Sequence, residues 1–137
     1  MTQTDMESIG EQVLNDYIDT FNAGSAMEWA QKLHYPHVRL AGGNVQIWNS
    51  PQEYAADNDK DVMRRKCDWG RTVLDHCALV QGDEDKLHFA TRWSRYTASG
   101  KHIISFDSLY IITKIDGSWG IQCRSSYAGI FDRNTAF

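Results

Sequence analysis

Apolar residues recur every three to four positions along Ile9, Val13, Leu14, Tyr17, Ile18 and Phe21, the spacing of a broad helical stripe. Two capping boxes, Thr4 with Glu7 and Ser8 with Glu11, compete to start this first helix. Asn22-Ala23-Gly24 ends it, because glycine accepts the left-handed conformation common at helix ends. Ser25 with Glu28 boxes the start of a second helix. That helix carries Ala26, Trp29, Ala30 and Leu33 on one face and is expected to stop at Pro36. A short hairpin follows, with residues 38–41 and 45–48 flanking Gly42-Gly43-Asn44. Ser50-Pro51-Gln52-Glu53 then opens a third helix, expected to run to Arg65 or Lys66.

Beyond Trp69 the pattern changes to alternation. It predicts four long strands, over about residues 70–80, 86–97, 102–115 and 118–127. Gly82-Asp83, Ser99-Gly100 and Asp116-Gly117 separate them, the last being a strong two-residue hairpin turn. These turns set a register, with Ile115 opposite Ser118 and Thr97 opposite His102. One face then carries Phe89, Trp93, Phe106, Tyr110, Ile112, Trp119, Ile121 and Tyr127 and is suited to receive the helices. The other carries His88, Arg92, Ser105, Asp107, Gln122, Arg124 and Ser126. On it Asp107 lies opposite Arg92 and Ser126, with Arg124 diagonal to it. A single β-bulge would exchange the faces beyond it. The expected class is α+β, three N-terminal helices and a short hairpin packed on a mainly antiparallel sheet. Residues 128–137 show no usable pattern.

The chain has 137 residues, 42% hydrophobic and 23% charged, which fits one domain over residues 1–137 with its core at about 8–127. A net charge of −4 argues against a nucleic-acid or anionic-membrane partner. No apolar run approaches the ~18–20 residues that span a bilayer. The first residues carry neither a basic region nor an apolar stretch, so no signal peptide is expected. Cys67, Cys77 and Cys123 have no paired spacing. Together these features suggest a cytoplasmic protein.

The order helix, helix, hairpin, helix and four strands resembles the NTF2-like superfamily, and within it the SnoaL-like polyketide cyclases. Three stretches carry the resemblance: the Phe21-Asn22-Ala23-Gly24-Ser25-Ala26 joint after the first helix, the passage 33–40 into the first strand, and the final hairpin around Ile115-Asp116-Gly117-Ser118-Trp119. His34-Tyr35-Pro36-His37-Val38-Arg39 and residues 119–127 also look like a bacterial branch of this superfamily. The resemblance implies a strongly bent sheet wrapping the first helix into a cone with a pocket at its open end. Its members include isomerases, dehydratases, epoxide hydrolases, cyclases and binding modules, and many are homodimers joined through the outer sheet face. Fold alone does not choose among these.

Arg92, Asp107 and Arg124 form the most chemical-looking set. Neighbouring guanidiniums would keep Asp107 ionised, and two Arg forks would match an anionic group. The plain alternative is a cross-strand ion pair on the outer face. Isomerase-like members place a carboxylate on the first hairpin, and Leu40-Ala41-Gly42 contains none. His88 with Asp107 would mimic part of a dehydratase-like set if a bulge turned them inward. His34 or His37 could act as a lone base at the pocket mouth, and Pro36 between them argues against a metal site. The candidate catalytic residues are therefore Asp107, His88 and His34. Tyr17, Trp29, Trp48, Tyr54, Trp69 and Trp93 would line the cone, with Arg92 and Arg124 as polar contacts. No phosphate-binding glycine loop follows a strand, and neither cofactor nor metal is implied. The expected function is binding of a small apolar or aromatic molecule, with or without an anionic group, by a homodimer. Cofactor-free isomerisation, dehydration or cyclisation and a dimeric protein-interaction module are the alternatives.

Overall fold

The structure, a computed structural model, describes residues 1–127. The first helix, α1 (Gln3–Ala23), starts earlier than either expected box. Thr2 caps it, accepting from the Asp5 amide while the Asp5 carboxylate accepts from the Thr2 amide. The earlier start brings Met6 against the core. Leu14, Tyr17, Ile18 and Phe21 are buried, with Ile9 and Val13 packed at their edge. Each of the fully buried side chains contributes about 1.5–3 kcal/mol relative to exposure. Gly24 is extended rather than left-handed (φ −87°, ψ 172°). The terminal carbonyls of α1 are met instead by a buried lysine: Lys60 Nζ donates to Phe21 O (2.8 Å) and Gly24 O (2.6 Å). Asn22 ties the same end to the sheet, its amide exchanging two 2.8 Å hydrogen bonds with the Thr72 backbone.

The second helix, α2 (Ala26–Ala30), has the expected Ser25–Glu28 box but ends well before Pro36. From Leu33 the chain is already a strand, β1 (Leu33–Ala41), because it pairs with the last strand at Leu33 and on both sides from His37–Val38 onward. It runs antiparallel to β2 (Asn44–Trp48) and parallel to the last strand. Pro36, which has no amide to donate, falls where the pairing with the last strand shifts, between Leu33 and Val38. The expected third helix is two helices, α3 (Pro51–Asp57) and α4 (Lys60–Cys67). Asn58 and Asp59 divide it: the Asn58 side chain donates to Tyr54 O (2.9 Å) and the Asp59 carboxylate caps α4. Such short polar side chains compete with the helix backbone for its own hydrogen bonds.

The remaining strands are β3 (Trp69–Gly82), β4 (Lys86–Thr97), β5 (His102–Ile115) and β6 (Ser118–Ser126). The sheet order is β2-β1-β6-β5-β4-β3, and among the described strands only the β1–β6 pair is parallel. Asp116 and Gly117 both have positive φ (51° and 81°), as the two-residue turn requires. Pairing along β3 shifts three times, each time adding a residue to β3, and such bulges bend a strand. The inner face of the sheet carries Phe89, Trp93, Phe106, Tyr110, Ile112 and Ile121 against α1. Gly10 marks the closest approach, since a Cβ there would lie 2.0 Å from the Phe89 ring. Tyr127, expected on this face, lies beyond β6 and is 82% exposed. No helix among the described residues is long and apolar enough to cross a membrane.

Candidate functional site

One extra residue decides which side chains enter the interior. On β5 and β6, Ile112 pairs with Ile121 but Ile111 pairs with Cys123, which makes Gln122 the additional residue of β6. Beyond that bulge every β6 side chain changes face. Gln122 is anchored on both sides: its Nε2 donates to Pro36 O (2.6 Å), and its Oε1 accepts from Thr113 Oγ1 (2.9 Å). His34 Nδ1 reaches the same threonine hydroxyl at 2.9 Å. Up to Arg95 the expected register of β4 on β5 holds, with Arg92 opposite Asp107 and Trp93 opposite Phe106, but a shift next to the turn puts His102 opposite Tyr96 rather than the expected Thr97.

The expected trio of Arg92, Asp107 and Arg124 is therefore not formed. Arg92 and Asp107 pair on the outer face at 2.9 Å, with side chains 50% and 68% exposed. An exposed pair of this kind contributes about 0.2–1 kcal/mol. Arg124 lies on the inner face, buried, and its Nη1 donates to Tyr17 Oη (2.9 Å). Ser126 also turns inward, where Ser108 Oγ donates to its hydroxyl at 3.0 Å. Cys123 and Ser125 pair with Ile111 and Leu109 in the alternate, outward-facing positions.

Arg124 does not stand alone inside. Arg39 is its direct neighbour across β1 and β6, and Tyr110 is its neighbour across β5 and β6. Arg39 donates to Gln46 Oε1 (2.8 Å) and Asn58 Oδ1 (3.2 Å), with its guanidinium 4.7 Å from the Trp48 ring centre. Arg95, on β4, lies 4.7 Å over the Phe106 ring. All three guanidiniums are buried. Burial, and then the Arg124 charge, push Arg39 and Arg95 down to about 10. Burial also works against the Arg124 charge, but Tyr17, Tyr54 and Tyr110 more than offset it and hold its pKa above the usual guanidinium value. Arg124 is hydrogen-bonded to Tyr110 as well. His37, fully buried, meets Ile121 O through Nδ1 (3.1 Å) and stacks near Trp48. Burial, then the Arg124 charge, push His37 down to about 3, so the ring is neutral. Its Nε2 and the Tyr54 hydroxyl are buried polar atoms with no hydrogen-bond partner among the described residues.

Between α1 and the sheet lies a pocket enclosing about 290 Å³ of empty space, part of it continuous with solvent. Its apolar walls include Tyr17, Phe21, Trp93, Phe106 and Tyr110, and Arg95, Arg124, Thr72 and Ser126 supply its polar groups. The pocket as a whole has room for about one or two water-sized groups.

Of the residues assigned to ligand binding, Tyr17, Trp93 and Arg124 line this pocket and Arg92 points away from it. Trp29, Trp48 and Tyr54 form an edge-on aromatic stack, with Tyr54 centred 5.0 Å from Trp29 and 4.9 Å from Trp48. Trp69 packs edge-on against Phe21 and donates from Nε1 to Thr72 Oγ1 at 2.8 Å. Among the candidate catalytic residues, Asp107 is on the outer face, His88 meets Gln81 at an exposed position (3.0 Å), and His34 is half-buried against Thr113. Burial pushes the His34 pKa down. No cluster of metal-ligating side chains occurs among the described residues. The three cysteines are free, and burial raises the pKa of each, which keeps them thiols rather than reactive thiolates.

Sequence reading passed over Arg39 and Arg95. The signal was there: Arg95 is two residues from Trp93 on the same strand, and Arg39 alternates with His37 and Ala41. It also passed over a polar row across β3, β4 and β5 on the outer face. There Ser94 Oγ donates to Asp75 and meets Ser105 Oγ (2.7 Å), which meets His102 Nε2 (2.7 Å).

The sequence matches the family described as NTF2-like protein (DUF6841) over residues 7–126. No curated protein matches the chain. Among solved structures, it is similar to a Nostoc punctiforme protein of unknown function with a cystatin-like fold (TM-score 0.72, 11% identity, 92% of each chain). It is similar to Aln2 from a Streptomyces species (TM-score 0.71, 10% identity, 92% of each chain). It is also similar to a Catenulispora acidiphila protein in complex with S-DNPA (TM-score 0.68, 12% identity, 90% of this chain and 93% of that one). Identities this low speak for a shared cone fold and for nothing more specific.

Proposed function

The chain belongs to the NTF2-like protein family DUF6841, and we propose that it binds a small, largely apolar molecule in the pocket between α1 and the sheet. The observation that carries this reading is the lining itself: five aromatic side chains form the walls, while polar groups gather at Arg95, Arg124, Thr72 and Ser126. Ligand sites of this kind hold an apolar body by burial and orient it through a few polar groups. The Catenulispora acidiphila neighbour, in complex with S-DNPA, adds support by analogy of fold. The reading keeps the chain near the SnoaL-like branch on the strength of its element order and final hairpin. It puts the protein in the cytoplasm on the strength of its three free cysteines.

The same reading makes the protein a homodimer. Val45, Leu40, Ser125, Leu109 and Ala90 lie side by side in register across the outer sheet face. Val45 and Ile47 at its edge are 63% and 58% exposed. A patch of this type suits a second copy of the chain. Cofactor-free proton transfer is the second reading. One observation favours it: Arg124 and Tyr17 place a cation and a phenol hydroxyl together beside the pocket, the donor pair that an enolate oxygen would need.

Native mass spectrometry of freshly purified protein tests the binding reading. A dimer with a retained mass of a few hundred daltons is the expected result. Trp93→Ala and Phe106→Ala proteins that keep the dimer should lose that mass. A monomer without bound mass, unchanged by those substitutions, overturns it.

A further inference from the structure

Two extra residues gather a polar row on the outer face of the sheet. Leu74 pairs with Trp93 and His76 with Arg92, so Asp75 is surplus to the β3–β4 pairing. Arg95 pairs with Ile104 and Tyr96 with His102, so Ile103 is surplus to the β4–β5 pairing. Residues three apart on a regular strand face opposite sides. The extra residue brings His102 round to the side of Ser105, which pairs directly with Ser94. Asp75 and His102 are the exposed ends of the row, with Ser105 half-buried and Ser94 buried between them. Tyr96 also holds the His102 ring, edge-on with centres 5.6 Å apart.

The row has a direction. A carboxylate oxygen only accepts, and each serine hydroxyl has one proton to donate. Ser94 donates its proton to Asp75. Ser105 therefore donates to Ser94 across their 2.7 Å contact. The Ser105 oxygen is then left to accept from His102 across the next 2.7 Å contact, so Nε2 carries the ring hydrogen. A serine beside a histidine resembles a nucleophile with its base, but in this direction Nε2 is a donor and takes no proton from Ser105. The lone pair of the neutral ring is on Nδ1, because the bond made by one ring nitrogen sets the state of the other. Hydrogen bonds in a chain polarise one another, so the Asp75 charge strengthens every link up to His102.

We propose that these four residues form an outer-face acid–base site. In it Asp75, acting through Ser94 and Ser105, holds His102 in its Nε2–H form and leaves Nδ1 to accept a proton or a hydrogen bond from a group carrying an N–H or O–H donor. Asp75, Ser94 and Ser105 are positioning residues of this site. It lies across the sheet from the pocket and stands independently of the binding reading.

Long-range nitrogen-15 to proton correlation spectra of the imidazole rings test it, recorded at about pH 9, where histidine rings are neutral. The His102 signals are assigned by their loss in His102→Gln. Wild-type protein should show the Nε2–H form almost alone, and lowering the pH should move the Nδ1 signal while Nε2 stays nearly in place. Ser94→Ala and Asp75→Ala should each lower the ratio of Nε2–H to Nδ1–H about tenfold, the worth of one hydrogen bond, although Ser105 is untouched in both. A role confined to holding the strands together would not move that ratio. Asp75 is exposed, so Asp75→Ala carries the test if Ser94→Ala does not fold by circular dichroism. A wild-type His102 with its hydrogen on Nδ1, or divided between the two nitrogens, overturns the proposal. So does an unchanged ratio in Asp75→Ala.

Discussion

Arg92 and Arg124 sit on strands flanking β5, in opposite surroundings. Arg92 reaches Asp107 across β4 and β5 in solvent. Arg124 reaches Tyr17 through the interior, with Arg39 and Tyr110 as its strand neighbours. Simple alternation from the two hairpin turns would put both on one face. The difference between them is one residue, Gln122, inserted in β6 and held by Pro36 and Thr113. The chemistry of this cone is thus set by a bulge as much as by residue type. The outer pair is a local contact that water can replace. The inner arginine is held by hydroxyls and aromatic walls that water cannot easily reach.

Deleting Cys123 puts the greatest strain on this contrast. With Gln122 still the extra residue, Arg124 would take the place opposite Ile111 and turn outward, and Ser125 would turn inward. The expected outcome is loss of cooperative urea unfolding, together with loss of the fold's near-ultraviolet circular dichroism. A deletion protein that unfolds like the wild type would mean that alternation beyond the bulge does not set the faces.

Next in size is a matched pair of truncations. Arg124→Ala leaves a cavity and removes the donor to the Tyr17 and Tyr110 hydroxyls, and should cost about 3 kcal/mol or more in urea unfolding. Arg92→Ala should cost less than about 1 kcal/mol, because its ion pair is exposed. Similar losses from the two would erase the distinction between the faces.

The interior also leaves a signature in pH. His37 has an ordinary pKa of 6.5 and is pushed down to about 3 when folded, first by burial and then by the Arg124 charge. Between those values the unfolded chain binds a proton that the folded protein refuses. This contribution to stability is therefore complete above pH 6.5 and is lost as pH falls toward 3. Its slope approaches about 1.4 kcal/mol per pH unit within that window. His37→Asn should flatten the corresponding part of a stability profile measured by urea unfolding between those pH values. An unchanged slope would show that His37 is protonated in place. The smallest effect belongs to the outer face, where Asp107→Asn should change stability by less than about 0.5 kcal/mol and leave ligand binding intact.

The same contrast explains what was legible in the sequence. The Ser99-Gly100 turn gave the β4–β5 register up to Arg95 but not the pair beside the turn, whereas Asp116-Gly117 gave the final hairpin with Ile115 opposite Ser118, because turn residues report backbone conformation directly. The α1 stripe and the Ser25–Glu28 box were legible for the same local reason. The bulge at Gln122 was not, since it is fixed by Pro36 on a distant strand and no local residue announces it. The strand character of residues 33–36 also depends on distant pairing, with β6. The break between α3 and α4 at Asn58-Asp59 was readable as cap chemistry but was outweighed by the apparent continuity of the helical stretch. Tyr17, Trp93 and Arg124 were picked out for the pocket, whereas Arg95 needed only one more step of alternation from Trp93.

At the centre of this picture a cation sits beneath an aromatic roof on the inner face. Nitrogen-15 NMR of the arginine side chains tests it most directly, through exchange of the Nε–H protons with water. The expected result is a slowly exchanging, well-dispersed Arg124 signal beside a rapidly exchanging Arg92 signal, assigned by substituting each in turn. Rapid exchange of Arg124, equal to that of Arg92, would contradict it.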